Sequence, residues 1–504
     1  MKLVNLSIVA AATCLLATSA YALKTEDRNL KGNYQVEYIK APGAVNSVTE
    51  MFTEGELYGR LRSNMFWNVW DNEQGATNAT AKTRDNNMWG LGGSLIYKTG
   101  FLYGFGATAG FYGTVPMHDE NTVPGNTANF GKMGKDTYHT RADGTEGGMA
   151  NLAEGYLEYK IGKTDAKVGR QGIDSIMLAT NDTKMIPNTF TAALVENKDI
   201  KDTTLRAGYV MSQKLRDHQS FHSILAYDST SKVNENDDSG AHKGLSVAKI
   251  NAAGEDVNPE MILVTASNKS VSNLKLDGEY VGISGFFSTA IAEANYQIKL
   301  GDSWTLTPGV RYLKQMDDGA GKIGGAALNG NVTAASAKGY SNPTSVDGSI
   351  IMGRLVAASG PLELSAGYSK VADKADIIAP WRGFPTGGYT RSMAQVDWVA
   401  NTKNWAVKAV YDFGKAGLVP GLLVAADYEN MNFDDAKMLA GSSVFSDRTI
   451  FHVDAWQTFK AIPNTEFKFR FATVNADPVT TTATPVTTDY ASYNEYRFEI
   501  NYLF

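Results

Sequence analysis

The chain is almost without cysteine: one residue, Cys14, in 504. No disulfide framework can hold it together, and stability must come from hydrogen bonding and burial. It is also poor in long apolar runs. Only the extreme N-terminus offers a stretch suited to a membrane helix, which excludes a polytopic helical membrane protein, and mean hydropathy is −0.24. Excess positive charge is missing as well. The formal net charge of −6 argues against nucleic acid as a partner. No Gly-x-Ser-x-Gly, His-Glu-x-x-His or Walker motif occurs, and no Ser/His/Asp set can be assembled, so no enzyme is expected. Of the six histidines only His218 and His222 have metal-like spacing, and they follow a strand in a loop-like stretch. The acidic runs at 118–120, 235–238 and 317–319 lack the calcium-loop pattern and read as hydrated loops. Neither metal nor cofactor is expected.

What is present is a chain 43% apolar, too apolar for disorder, with 49 Gly. Residues 1–22 read as a signal peptide. Lys2 carries the positive charge, Leu3 to Leu16 form the apolar core, and Ala20-Tyr21-Ala22 is a small-x-small cleavage site. Thr13 before Cys14 and the apolar run after it argue against a lipoprotein. Cleavage before Leu23 leaves 504 less 22, or 482 residues, without cysteine, and 46 basic against 53 acidic groups for a net of −7. Residues 23–54 are polar and mixed and read as an N-terminal extension. The span 55–504 reads as one unit.

That unit has a period of two. Tyr496, Phe498, Ile500, Tyr502 and Phe504 alternate with Glu495, Arg497, Glu499, Asn501 and Leu503. On a strand one set is aromatic and apolar, the other mostly charged. The pattern recurs at Phe467, Phe469 and Phe471 against Lys468 and Arg470, and at Trp405 to Phe413 with Lys408 on the opposite face. It recurs again at Leu57 to Met65 against Arg60 and Arg62, and at Leu205 to Met211 against Arg206. A β-sandwich also alternates. Two details favour a transmembrane barrel: aromatics gather near strand ends, and short turns alternate with long loops. Short turns fall at 99–100, 162–164, 198–202, 301–302, 360 and 462–464. Long loops run near 114–151, 172–189, 315–346, 372–403, 431–446 and 475–492. The stretch 213–287 is ambiguous, and two or three strands there complete an even total. The expected fold is all-β: an antiparallel barrel of about 18 strands.

In a bilayer every backbone polar group needs a partner within the protein, so strands must close into a barrel. At about 18 strands the lumen is too wide for side chains to fill, which predicts a water-filled channel. The competing reading is a surface-binding barrel, an adhesin or receptor whose long loops carry function.

At 165–211 the pattern becomes recognisable. Lys167-Val-Gly-Arg170-Gln171 is followed by Asn181-Asp182-x-Lys184-Met-Ile-Pro187-Asn-Thr-Phe190 and Thr204-Leu-Arg206-Ala-Gly-Tyr209. With Gly383-Phe-Pro-Thr-Gly-Gly-Tyr-Thr-Arg391, Tyr411 to Gly421 and the Asn494 to Phe504 terminus, this resembles the OprD-type outer-membrane porins. The resemblance covers most of 55–504. It implies a bacterial outer-membrane location, a narrow substrate-selective pore for amino acids or carboxylates, and a loop folded into the lumen. It also implies a monomer or homotrimer in contact with outer-membrane lipid and lipopolysaccharide. A basic track of lumen cations is implied too, for which alternation offers Arg60, Arg62, Lys160, Arg206, Arg311, Lys408, Lys468, Arg470 and Arg497. In the infolded loop, Asp174, Asn181, Asp182 and Lys184 are the candidates for narrowing the pore.

Overall fold

The structure is a computed structural model. It describes residues 28–504 apart from Asn33, Lys40, Ala41, Asp217, Pro380, Arg382, Ala394, Gln395, Pro478 and the stretches 72–84, 120–136, 141–145, 226–243, 329–338, 438–445, 481–486 and 489–491. The expected leader and the acidic run 235–238 lie outside the described residues.

Eighteen long strands follow one another around a closed ring. They are β1 Glu56–Trp70, β2 Asn86–Lys98, β3 Phe105–Asp119, β4 Met149–Ile161, β5 Thr164–Gln171 and β6 Thr189–Asn197. Next come β7 Thr203–Lys214, β8 Met261–Asn268, β9 Leu274–Ile283, β10 Phe287–Tyr296, β11 Trp304–Asp317 and β12 Gly348–Ser359. The ring ends with β13 Leu362–Val371, β14 Lys403–Asp412, β15 Leu422–Asn432, β16 Arg448–Phe459, β17 Ile462–Ala476 and β18 Tyr493–Leu503. Each pairs antiparallel with its neighbour, and β18 closes on β1 in continuous register from Tyr493 opposite Trp70 to Leu503 opposite Arg60. Closure leaves no strand edge, the condition for crossing a bilayer with strands. Among the described residues no helix is long and apolar enough to cross a membrane.

Alternation sorts the side chains as a membrane requires. Leu57, Leu61, Leu95, Phe111, Leu157, Val264, Val310, Ile351, Leu355, Val407 and Phe469 are exposed on the outer face. Exposed aromatics gather toward the two rims. Phe105, Tyr296, Trp304, Phe459 and Tyr502 lie toward one, and Tyr368, Trp405, Tyr428, Phe451 and Tyr496 toward the other. A ring of amphipathic aromatics at each rim suits the boundary between hydrocarbon and water.

The first rim carries the short turns, the second the long loops. The 213–287 stretch contains two strands, β8 and β9, as the even total requires. The three residues 284–286 join β9 to β10 on the loop rim, so the alternation of short and long is broken once there. The expected turn at 462–464 is part of β17, and the bend falls at Lys460 and Ala461 instead. Asn464 keeps a positive φ of 62°, which is the turn-like signal visible in the sequence, but a local register shift absorbs it within the strand.

The N-terminal extension is described from Arg28 onward, apart from Asn33, Lys40 and Ala41. A helix at Val48–Thr53, capped by Ser47, lies beside the β2–β3 turn, with Gly100 N–H donating to the Met51 carbonyl at 2.9 Å. Ala44 and Val45 pair in parallel with Phe101 and Leu102. Before them a short hairpin, Arg28–Leu30 with Val36–Tyr38, enters the barrel from the turn rim.

The lumen is not uniformly polar. On β6 to β13 the inward set is apolar toward the loop rim: Phe190, Ala192, Val210, Met261, Leu263, Val281, Phe287, Leu313 and Ile350 are buried. Folded loop residues Met177, Leu178, Ile377, Ile378, Trp381 and Trp398 pack on them. The barrel therefore holds a hydrophobic core of its own, with water-facing chemistry confined to the rest of the wall.

Candidate functional site

Two loops fill this interior. The first, residues 172–188, leaves β5 and returns to β6. Glu279 on β9 anchors its outer turn, accepting from Ser175 Oγ at 2.8 Å, Ile176 N–H at 2.8 Å and Met177 N–H at 2.9 Å. Lys214 on β7 donates to the Pro187 carbonyl at 2.8 Å. At its tip Asp182, fully buried, meets Arg60 at 2.6 Å and Arg62 at 3.3 Å, and its own carbonyl accepts from Arg62 at 2.7 Å. Charge-assisted bonds of this kind are the strong ones.

The other candidates in this loop have different surroundings. Asp174 caps the loop from within, its carboxylate accepting from Thr180 N–H at 2.8 Å, and its carbonyl accepts from Arg206 at 2.9 Å. Asn181 accepts from Thr183 N–H at 3.1 Å and lies 3.4 Å from Arg216. Lys184 has its ammonium 3.7 Å from the centre of the Phe66 ring, and its carbonyl accepts from Asn64 at 3.1 Å. Asp182 and Lys184 thus touch the β1 wall, while Asp174 and Asn181 shape the loop.

The second loop joins β13 to β14 and contains the Gly383 to Arg391 motif. Arg311 on β11 donates to the carbonyls of Pro385 at 2.8 Å and Gly387 at 3.1 Å, and Arg354 on β12 donates to that of Gly388 at 3.1 Å. Both guanidinium groups lie 4.7 Å from the Tyr389 ring centre and share Glu293, at 2.6 Å from Arg311 and 3.4 Å from Arg354. Asp397 braces the loop from behind, bonded to Thr386 and Thr390. Asp376 accepts from Leu328 N–H and Ala400 N–H, each at 2.7 Å, and from Tyr340 at 2.9 Å; burial pushes its carboxyl up to about 6 while these donors oppose the rise. The two loops meet where Phe384 N–H donates to the Ile176 carbonyl at 3.2 Å. Gly383 permits that approach, because a Cβ there would stand 1.9 Å from the Met177 carbonyl oxygen.

Alongside the loops, β14 to β18 and β1 carry a charged strip on their inward faces. Asp454 on β16 accepts a two-pronged bond from Arg470, both arms at 2.7 Å, with Lys468 at 3.4 Å and His452 at 3.2 Å. His452 also meets Asp427 at 2.8 Å, and Asp427 stands opposite Lys408 in the ladder. Arg497 lies between Glu495 at 3.1 Å and Glu499 at 3.5 Å, and Glu499 reaches Arg62 at 3.1 Å. Register makes the strip continuous: Asp454 faces Arg470, Arg470 faces Arg497, and Lys468 faces Glu499.

The nine candidate cations therefore occupy three settings. Arg60, Arg62, Lys408, Lys468, Arg470 and Arg497 belong to the strip. Arg206, paired with Glu196 at 2.7 Å, and Arg311 hold loop backbone on other walls. Lys160 sits at the turn rim, 3.1 Å from Glu158 and 4.2 Å from the Phe101 ring centre. Arg354, Glu293, Glu279 and Tyr389 were not among the candidates. Arg354 shares the inward parity of Ile350 and Met352, so alternation could have found it. Glu279 lies in the stretch whose strands were not resolved from sequence, and Tyr389 in a loop where periodicity carries no signal. Among the described residues no group of three or more His, Cys, Asp or Glu is placed to hold a metal ion.

The family model for the outer membrane porin, OprD family, matches residues 52–443. No curated protein matches the chain in sequence. Solved structures do match. OccK8 (OprE) of Pseudomonas aeruginosa aligns over 90% of this chain and 99% of its own, with a TM-score of 0.65 and 17% identity. OpdK of Pseudomonas aeruginosa with vanillate gives 0.65 and 14% over the same shares. A BenF-like porin from Pseudomonas fluorescens Pf-5 gives 0.66 and 16%, over 89% of this chain and 98% of that one. At such identities the structures speak for the fold, and the family match over most of the chain speaks for kinship. The chain belongs to the OprD family of outer membrane porins, β-barrel channels of the bacterial outer membrane.

Proposed function

We propose that this barrel is a substrate-selective pore for small solutes bearing a carboxylate, amino acids among them. The observation that carries the reading is the strip on β14 to β18 and β1, where cations and anions interleave across adjacent strands. Lys408, Lys468, Arg470 and Arg497 offer successive sites for a carboxylate, with Arg60 and Arg62 at the end of the strip. Asp427, Glu495 and Glu499 offer neighbouring sites for an ammonium. Guanidinium forks match carboxylates in shape as well as charge. Because each site already has a counter-charge, a solute exchanges one partner for another instead of falling into a single deep well, which favours passage. Loops 172–188 and 372–402 act as the constriction, and Asp182 with Arg60 and Arg62 sets the charge at its edge. Vanillate, present in the OpdK structure, carries a carboxylate of the kind proposed here.

Conductance in planar bilayers tests the reading. Purified protein should give discrete ion currents that amino acids and carboxylates block and neutral sugars do not. A folded barrel without current overturns the channel. Equal passage of sugars and carboxylates overturns the selectivity.

A further inference from the structure

The hairpin Arg28–Leu30 with Val36–Tyr38 belongs to neither loop, and it lies inside the lumen. Leu30, Tyr34 and Val36 are buried against Tyr58 of β1, Ile96 of β2, Tyr112 of β3, Met149 and Ala153 of β4, and Leu503 of β18. Those are inward-facing side chains. Met185 and Ile186 of loop 172–188 cover the same cluster. The tip is a closed turn, with Lys31 N–H donating to the Gln35 carbonyl and Tyr34 N–H to the Lys31 carbonyl, both at 2.8 Å. Tyr34 has a φ of 66°, in the left-handed region that residues other than glycine seldom adopt. That ring covers two cations of the strip: Arg62, 5.4 Å from its centre, and Lys468, at 4.9 Å. Its hydroxyl accepts from Trp456 Nε1 at 3.3 Å.

We infer that this hairpin is a tethered plug, and that Tyr34 occupies the part of the strip a solute must cross. The inference rests on the channel reading. Three features support it. First, the ring sits where an anionic or aromatic solute would meet Arg62 and Lys468, so plug and solute exclude each other. Second, the hairpin pairs with itself and with no barrel strand, three residues on each side, and a ribbon that small is not stable alone. Its order is borrowed from the lumen and is lost on leaving. Third, the tether is firm: Val45 pairs with Leu102, and Phe101 N–H donates to the Gly43 carbonyl at 2.9 Å, so the segment after the hairpin stays at the turn rim. A displaced plug therefore remains beside the opening it left.

The test compares single-channel KCl conductance of the full chain, a variant lacking residues 28–38, and Tyr34→Ala. Deletion should raise conductance about twofold or more, because a two-stranded ribbon with its side chains is about 10 Å across. Tyr34→Ala should raise it less. Heat-modified migration on gels shows that each variant has folded. If the full chain conducts and the deletion and Tyr34→Ala conduct equally with it, the plug is wrong and the channel stands. If no variant carries current, the channel reading fails and the plug with it.

Discussion

Asp182→Asn isolates the charge at the edge of the proposed constriction. The carboxylate lies between Arg60 at 2.6 Å and Arg62 at 3.3 Å, and both guanidinium groups are buried. Asparagine keeps the size of the side chain and one acceptor. The main-chain bond from Arg62 to residue 182 and the Arg62–Glu499 pair at 3.1 Å do not depend on the carboxylate, so the loop stays docked. One negative charge disappears and Arg60 loses its counter-ion. An ion passing about 7 Å away feels a unit charge as about 0.6 kcal/mol in a water-like dielectric. The change has opposite sign for anion and cation, so their difference moves by about 1.2 kcal/mol, about sevenfold in permeability ratio toward anions. Mobile ions near 0.1 M cut that difference to about half, or about threefold, and a drier path enlarges it. The assay is the reversal potential in a KCl gradient near 0.1 M, where the screening length is about 10 Å. Near 1 M, where it is about 3 Å, the shift should nearly vanish. An unchanged reversal potential at low salt would refute the assignment of Asp182 to the ion path.

Three further outcomes are expected. Arg311→Ala with Arg354→Ala removes the bonds to Pro385, Gly387 and Gly388 and strips Glu293 of both cations, leaving it the amide of Asn295; single-channel records should become noisier, with brief larger openings. Gly383→Ala forces a methyl group to within 1.9 Å of the Met177 carbonyl oxygen, an overpacking cost of about 1–3 kcal/mol that should lower the temperature of heat-modified migration. Val407→Arg places a charge on the outer face near the middle of β14 and should cost about 2–4 kcal/mol in urea titrations of folding into vesicles, whereas Lys408→Gln, one residue along and facing inward, should leave that titration unchanged and alter selectivity.

Most of the barrel was legible because its signal is local. Alternation at 56–70 or 493–503 needs no knowledge of distant residues, and strand parity then orders the turns. The weaker places have physical causes. β8 and β9 each have inward sets that include apolar residues, Met261 and Leu263 on one, Val281 and Ile283 on the other, because loops pack there instead of water. Their two faces look alike in sequence, and the alternation fades. The second infolded loop was visible as a motif at 383–391 but not as a position, since its anchors Arg311 and Arg354 lie far away along the chain and bind main-chain oxygens. The ordered hairpin was least visible. Residues 28–38 carry mixed charge and few apolar side chains, and what buries Leu30 and Val36 is the interior of a barrel formed by later sequence. Among the candidate cations, alternation could show which way each points but not whether it meets solute or loop backbone.

The carbonyl anchoring of the second loop has a consequence for change over time. Every residue type carries a main-chain oxygen, so the grip of Arg311 on positions 385 and 387 and of Arg354 on 388 does not depend on what side chains stand there. Position and chemistry are separated: the loop can be held in one place while exposed side chains along it are exchanged. A scaffold built in this way can change the side chains it presents to the lumen by a few substitutions without first having to find a new way to hold that loop.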